Sequence, residues 1–369
     1  MTEARLWLGL MSGTSMDAVD AVLVHFGDKQ LSIEGSLSLP YPEQLRSRLL
    51  NAIRNHADPD ELGELDTLTG QHFARTANQL IDASGVERHT IQAIGSHGQT
   101  IRHQPTGNAP FSLQIGCPAT IAEATGLTTV ADFRRRDLAA GGQGAPLVPA
   151  FHQWLFRSNA QNRCILNLGG IANLTWLPSD SSQAVTGFDT GPANALVDAW
   201  CYDQTGKHYD ENGQWASEGH IHEALLDDLQ SDAYFVKPPP KSTGKERFNL
   251  DWINTHLQRF DEVPAEDVQR TLLQLAASSI ASQLPDRSSD LTVYACGGGT
   301  LNPLLMKELS EQLQPATLAT TAEIGLDPQW VEPVAFAWLA RQTLAGLAGN
   351  LPAVTGARGE RILGAVYPA

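Results

Sequence analysis

The chain has 369 residues, with 25 Lys plus Arg against 41 Asp plus Glu, giving a formal net charge of −16. That length predicts two or three domains with a core that needs neither disulfides nor metal. The acidic balance argues against nucleic acid and anionic membrane surfaces as partners, and no run of 18 apolar residues is present to cross a bilayer. Cys117, Cys164, Cys201 and Cys296 lie far apart without a Cys-x-x-Cys spacing. They predict free buried thiols in a reducing compartment and no structural zinc. Residues 1–5 carry no basic leader, and the apolar stretch Leu6–Met11 is too short for a signal peptide. The expectation is a cytoplasmic protein acting on a small molecule.

In chain order, Leu6–Met11, a polar turn over 12–17 and residues 21–26 read as strand, glycine turn, strand. Residues 41–56 and Pro59–Ser84 have helical spacing, as in Leu62, Leu65, Leu68 and Phe73. Residues 90–95 and Phe111–Ile115 are β-like, Pro118–Thr125 is a short helix, and 127–131 is a strand. The glycine-rich stretch 139–144 is a loop and a domain boundary, followed by a helix over 146–156. Residues 164–177 then repeat the strand, glycine turn, strand plan about 155 residues further on, a spacing that suits two similar domains. A helix follows over 193–205. Residues 236–244 contain Pro238, Pro239 and Pro240 and predict a rigid loop or lid. Residues 265–284 form a long helix, 291–295 a strand, 297–299 a turn, 302–313 a helix and 329–347 a last helix. This alternation predicts α/β architecture, with domains over 1–140 and 141–369 and the C-terminal tail packing back on the first.

Three glycine turns can bind an anion or a nucleotide. In the first, backbone N–H groups around Gly13 and the hydroxyls of Ser12, Thr14 and Ser15 can converge on a phosphate, and Asp17 can hold a metal-bound water; an ordinary hairpin turn has the same composition. Gly169, Gly170 and Asn173 form the second turn. Gly297, Gly298 and Gly299 follow a strand and, with Asn302, open a helix, where a flat glycine run can lie under an adenine or ribose. Asp189, within residues 187–192, lies near a strand end. It reads equally as a general base or as the cap of a helix starting near Pro192. Arg134, Arg135 and Arg136 are the densest basic cluster. They suit either a substrate carboxylate or salt bridges to Asp132 and Asp137, and on a strand at most two would face a site. His97, Gln99 and Thr100 follow a strand and suit hydrogen bonding to a sugar, whereas His97 with His103 is a poor metal pair. Glu332, before a helix over 334–344, is either a ligand or a helix-terminal acid. Lys241, Ser242 and Thr243 sit in the proline loop, and the Gly-Lys-Ser/Thr of a P-loop is absent. Trp200, Trp252 and Trp338 read as core.

The three turns, in this order, resemble the phosphate-1, phosphate-2 and adenosine motifs of the actin, hexokinase and Hsp70 ATPase superfamily. The first departs from the common Asp-x-Gly-x-Thr signature. The string over 9–17, with Asp20, resembles the start of the anhydro-N-acetylmuramic acid kinase family. So do residues 95–100, 132–137, 141–149, 167–173, 187–192, 241–244 and 296–299, spread over nearly the whole chain; members often have Gly at the position of Ala18. The resemblance implies two actin/hexokinase-like, ribonuclease H-like α/β domains flanking a deep nucleotide cleft that closes on ATP. It implies an enzyme using ATP, Mg²⁺ and water to convert 1,6-anhydro-N-acetylmuramic acid to N-acetylmuramic acid 6-phosphate in peptidoglycan recycling. It further implies that Ser12, Gly13, Thr14, Ser15, Met16, Asp17, Ala18 and Val19, with Gly169, Gly170, Asn173, Gly297, Gly298, Gly299 and Asn302, bind the nucleotide, and that Asp17 reaches the metal through water. Asp189 is the implied catalytic base, and His97, Gln99, Thr100, Arg134, Arg136 and Glu332 the implied sugar ligands, in a cytoplasmic homodimer that binds neither nucleic acid nor membrane. The competing expectations are a kinase of the same fold acting on another amino sugar, and a non-catalytic sugar sensor. The sensor is disfavoured by the acidic charge and by a first motif that lies at the start of the sequence.

Overall fold

A computed structural model describes residues 5–369. The chain forms two compact units, one taking the residues up to Leu155 together with Trp330–Ala369, the other Phe156–Gln329. The division falls at 155/156 rather than at the 140/141 expected from composition. The reason is packing: the Pro149–Phe156 helix sets Trp154 against Phe26 (centroids 5.7 Å) and Phe151 against Trp338 (6.1 Å). The glycine loop before that helix is thus internal to the first unit.

The first unit is built on β1 (Leu6–Met11), β2 (Ala18–Phe26), β3 (Leu31–Pro40), β4 (Ile91–Ser96) and β7 (Thr129–Ala131), with β5 (Gln99–Gln104) and β6 (Phe111–Ile115) forming a separate ribbon. β1, β2 and β3 make an antiparallel meander; β4 and β7 add parallel to β1, and the last strand, Ala365–Tyr367, closes the far edge. One face carries Leu10, Val19, Ala21 and Leu23, which share a core with Leu65, Phe73, Ala77 and Leu80 of the Pro59–Ser84 helix. Each fully buried leucine contributes about 2 kcal/mol. That helix is fixed at both ends by its sequence. Asp58 accepts the Glu61 N–H (2.8 Å) as its cap, Pro59 occupies the first turn, and Gly85 ends it at φ 67°.

β3 was not anticipated, although Leu31, Ile33, Leu37 and Leu39 alternate with polar or small residues and every second position of the strand is exposed. The basic cluster is also corrected. Arg135–Ala139 is a short helix, not a strand, with Arg134 at its N-terminal boundary, so the three arginines fan out around a helical turn. Glu332 lies inside the first turn of the Val331–Leu344 helix rather than before it.

The second unit repeats the plan of the first. β8 (Arg163–Leu168), β9 (Ile171–Leu177) and β10 (Thr186–Pro192) form an antiparallel meander, and β11 (Thr292–Cys296) and β12 (Thr317–Thr320) add parallel to β8. Its core joins Leu166, Leu168, Leu174 and Val293 to Val268, Leu272, Leu275 and Ala276 of the Ala265–Ala281 helix, which presents them at helical spacing. Residues 236–244 are neither helix nor strand, as the prolines require. Trp200 and Trp338 are buried, and Trp252 packs half-buried on the second core. Among the described residues, no helix is long and apolar enough to cross a membrane.

Candidate functional site

In the first unit the β1–β2 turn is a braced loop. The Met16 N–H reaches Gly13 O (3.3 Å), and Met16 takes φ 55° with its side chain buried in the core. Gln99 anchors the turn from beneath. Its Oε1 accepts the hydroxyls of Ser12 (2.8 Å) and Tyr41 (3.3 Å), and its Nε2 donates to Gly13 O (3.3 Å). Arg46 adds Nε to Met16 O (3.0 Å) and Nη2 to Asp17 (3.2 Å). Ser12, Met16 and Val19 are buried, whereas Thr14 and Asp17 are exposed and Gly13 and Ser15 half-exposed. Thr14, Ser15 and Asp17 therefore present polar side chains toward solvent, whereas those of Met16 and Val19 are turned inside.

Gln99 is fully buried and its amide is engaged inside the protein. Its position makes it a brace of the turn. Replacing Gln99 with Leu leaves the Tyr41 hydroxyl and the Gly13 carbonyl without this partner. The expected cost is about 2–3 kcal/mol of unfolding free energy, measured by urea titration. A loss under about 0.5 kcal/mol would show that the turn holds without it.

A second polar group in this unit surrounds His97. Its N–H bonds Leu10 O (2.9 Å), Arg134 Nη2 donates to its Nε2 (2.8 Å), and its ring lies 4.6 Å from Phe336. Burial first, and then the Arg134 charge, hold His97 well below the usual histidine range, so it is neutral. Glu332 lies one helical turn before Phe336 and so on the same side of the helix. Structure thus gathers His97, Arg134 and the Glu332 turn in one region. Arg134 also donates to Gly144 O (2.8 Å), Arg135 pairs with Asp132 (3.4 Å), and Arg136 is exposed. The Thr100 hydroxyl accepts Gln114 Nε2 (3.1 Å). His103 turns to Ser112 Oγ (3.0 Å) rather than pairing with His97.

In the second unit, Asp189, Asn173 and Asn167 stand abreast on β10, β9 and β8, with Cys296 next to Asn167 on β11. Gly169 O and Gly170 O accept the N–H groups of Asn194 (3.1 Å) and Ala193 (3.0 Å), so the second turn seats the start of the Asn194–Thr205 helix. Around the triple glycine, packing explains two of the three. A Cβ on Gly297 would stand 2.4 Å from Asn167 Oδ1, and one on Gly299 would stand 2.6 Å from Leu168 Cβ; a Cβ on Gly298 meets nothing within 4 Å. Gly298 is the exposed one of the three. Asn302 caps the Pro303–Gln312 helix, its Oδ1 accepting the Leu304 and Leu305 N–H groups (3.1 Å each).

Asp189 lies within β10, not at its end. The following helix begins at Asn194, so the capping alternative does not arise. The β9–β10 register breaks between Asp189 and Gly191, a bulge of the kind that re-aims a side chain. Asp189 is 8% exposed, and its Oδ2 accepts the Thr243 N–H (3.0 Å). Its own N–H bonds Lys241 O (3.2 Å), and its carbonyl accepts the Tyr234 hydroxyl (2.7 Å). A carboxylate aimed by a bulge and oriented by one backbone N–H can act as a general base. Tyr41 and Tyr234 were not candidates from the sequence. Tyr41 acts at the first turn through Gln99 and Tyr234 holds the Asp189 carbonyl of β10, each through a lone hydroxyl with no motif to mark it.

Comparison with known proteins decides the family. The family model for anhydro-N-acetylmuramic acid kinase matches residues 5–369. The chain belongs to the anhydro-N-acetylmuramic acid kinase family. A curated member from Coxiella burnetii (strain Dugway 5J108-111) is 50% identical over 366 residues, covering 98% of this chain and 97% of the relative. Another from Xanthomonas axonopodis pv. citri is 50% identical over 374 residues, covering 100% and 99%. Among solved structures, a ROK family glucokinase from Streptomyces griseus in complex with glucose and AMPPNP aligns with TM-score 0.41 at 13% identity, over 91% of this chain and 99% of that one. That likeness is distant, and the assignment rests on the sequence family. A kinase of this family uses ATP.

Proposed function

We propose that this kinase opens the 1,6-anhydro ring of 1,6-anhydro-N-acetylmuramic acid with water and phosphorylates O6 with ATP, releasing N-acetylmuramic acid 6-phosphate and ADP. The observation that carries the reading is Asp189, a nearly buried carboxylate on a bulged edge strand with one oxygen fixed by the Thr243 N–H. Asp189 takes a proton from water as the water oxygen bonds to C1. The C1–O6 bond breaks with its electron pair going to O6, O6 bonds to the γ-phosphorus, and ADP leaves. The proton on Asp189 then returns to solvent.

The residues from Ser12 to Val19, and Gly169, Gly170 and Asn173, are our candidates for the phosphates of ATP; Gly297, Gly298, Gly299 and Asn302 are those for its adenosine. Backbone amides serve a phosphoryl group well because they are already oriented. Arg134 and Arg136 suit the lactyl carboxylate, and His97, Thr100 and Glu332 the sugar hydroxyls and acetamide, with Gln99 acting through the turn it braces. Mg²⁺ fits the donor set: Asp17 is an exposed carboxylate beside the first turn, and a magnesium ion held chiefly by phosphate and water needs no more than one such group. When bound, the ion neutralises phosphate charge. We place the enzyme in the cytoplasm with no nucleic-acid or membrane partner, on the acidic charge and the chemistry of its substrate, and propose a homodimer on the family resemblance alone.

The deciding experiment incubates the protein with ATP, Mg²⁺ and 1,6-anhydro-N-acetylmuramic acid in ¹⁸O-water over a short time course. The product is expected to carry phosphate at O6 and ¹⁸O at the anomeric carbon, read by mass spectrometry. A control adding ¹⁸O-water after completion measures exchange at that carbon. Phosphorylation of another amino sugar alone would replace the substrate. Protein that binds ATP but phosphorylates no sugar would make the sensor reading the better one.

A further inference from the structure

The 234–243 loop runs beside β10, the edge strand of the second sheet, and its contacts converge on Asp189. Tyr234 holds the Asp189 carbonyl, Lys241 O accepts its N–H, and the Thr243 N–H bonds its carboxylate. The Lys241 side chain does not reach for solvent. It is 2% exposed, and its ammonium donates to Tyr234 O (3.1 Å) and Phe235 O (3.5 Å). The same nitrogen lies 4.6 Å from the Tyr234 ring centre and 5.7 Å from that of Phe188, the residue preceding Asp189. Two carbonyls and two aromatic rings make burial of this charge tolerable. A loop anchor alone would not need a cation. A neutral side chain of similar length would fill the space without the cost of desolvation.

We propose that Lys241 is a positioning residue for Asp189: its buried ammonium locks the 234–243 loop onto β10 and keeps the Asp189 carboxylate ionised and aimed. This rests on Asp189 being the base. The charged groups acting on the ammonium are Asp189 from β10, which favours its protonation, and Lys237 from the loop, which opposes it. Glu246 and Arg247 act on Tyr234, with the Arg247 guanidinium 5.5 Å from its ring. Burial is the largest influence and pushes the Lys241 amine down to about 8. The lock is therefore charged at neutral pH and discharges as pH rises through about 8. A cation beside Asp189 lowers the carboxyl's proton affinity, so its removal moves the base's titration upward.

The test is the pH profile of kcat/KM for the wild type, Lys241→Met and Lys241→Arg, with Asp189→Asn alongside. The wild type is expected to lose activity on an alkaline limb near pH 8. Lys241→Met is expected to lower kcat roughly 10²-fold with little change in KM for ATP, to move the acid limb to higher pH and to lose the alkaline limb. Lys241→Arg keeps its charge and is expected to recover part of kcat and carry activity past the wild-type limb. If Lys241→Met fails to fold, the wild-type profile and the Arg variant decide. An inactive Asp189→Asn with a Lys241→Met profile of wild-type shape, or a wild-type profile flat through pH 9, overturns the proposal alone. Turnover retained in Asp189→Asn overturns the base assignment and this proposal with it.

Discussion

Asp189→Asn is expected to lower kcat by at least about 10³-fold while leaving ATP affinity within about twofold, a barrier increase of about 4 kcal/mol. The change is nearly isosteric, and the amide oxygen can still accept the Thr243 N–H, so the bulge and the loop against it should survive. What disappears is the capacity to take a proton from water. Attack by neutral water would leave a protonated oxygen on C1 with no acceptor at hand. Steady-state kinetics with the anhydro sugar, beside calorimetric titration with a non-hydrolysable ATP analogue, separates the two effects. Near-normal kcat would remove Asp189 as the base. Loss of ATP binding along with kcat would mean instead that the substitution had disturbed the second-unit groups proposed to hold the nucleotide.

The parts of the fold legible in the sequence are those set by local patterns. Pro59–Ser84 and Pro118–Thr125 match their expected ranges because proline, a final glycine and apolar periodicity mark both ends. The two similar hairpins were visible because each pairs a short apolar run with a glycine turn, and both units extend that hairpin into the same five-strand plan. The failures were tertiary. The expectation that at most two of Arg134–Arg136 face a site supposed a strand there, yet the segment is a helical turn in which Asp137 is drawn into the core by Asn350 Nδ2 (2.7 Å), the Thr355 hydroxyl (2.8 Å) and the Gly144 N–H (2.8 Å). Asn350 and Thr355 lie 213 and 218 residues along the chain, so the local sequence does not announce the two side chains that hold Asp137 there. At the candidate site, Asp189, the glycine turns and Gln99 were marked by sequence, but Gln99 as a sugar ligand rather than as the brace of a turn, and Tyr41 and Tyr234 were not marked. Lys241 reads from the sequence only as part of a rigid proline loop or lid and of the 241–244 string of the family resemblance. Its burial comes from Phe188, Tyr234 and Phe235, which the sequence does not place around it.

The largest stability effect is expected from Gly95→Ala, at about 3 kcal/mol. Gly9 and Gly95 are register partners on adjacent strands β1 and β4. The Val331–Leu344 helix lies so close to them that a Cβ on Gly9 would stand 1.9 Å from Pro333 O, and one on Gly95 2.1 Å from Phe336 O. Both obstacles are backbone, and neither can rotate away as a side chain would. The helix must therefore lift from the sheet, opening contacts among Val334, Phe336, Ala337 and Trp338, all buried. Function should suffer beyond stability, because the same helix carries Glu332 and sets Phe336 against the His97 ring. The contrast is Gly63→Ala, on the exposed side of the Pro59–Ser84 helix, where a new Cβ meets nothing within 4 Å. There the loss of backbone freedom in the unfolded chain acts alone, and a gain of about 0.5–1 kcal/mol is expected. Urea titration of both variants, with kcat and KM for the sugar measured on the folded fraction, tests the pair together. Equal midpoints for Gly95→Ala and wild type would show that the helix can shift without cost. A midpoint lowered with unchanged sugar kinetics would separate the helix's structural role from any part of Glu332 in binding.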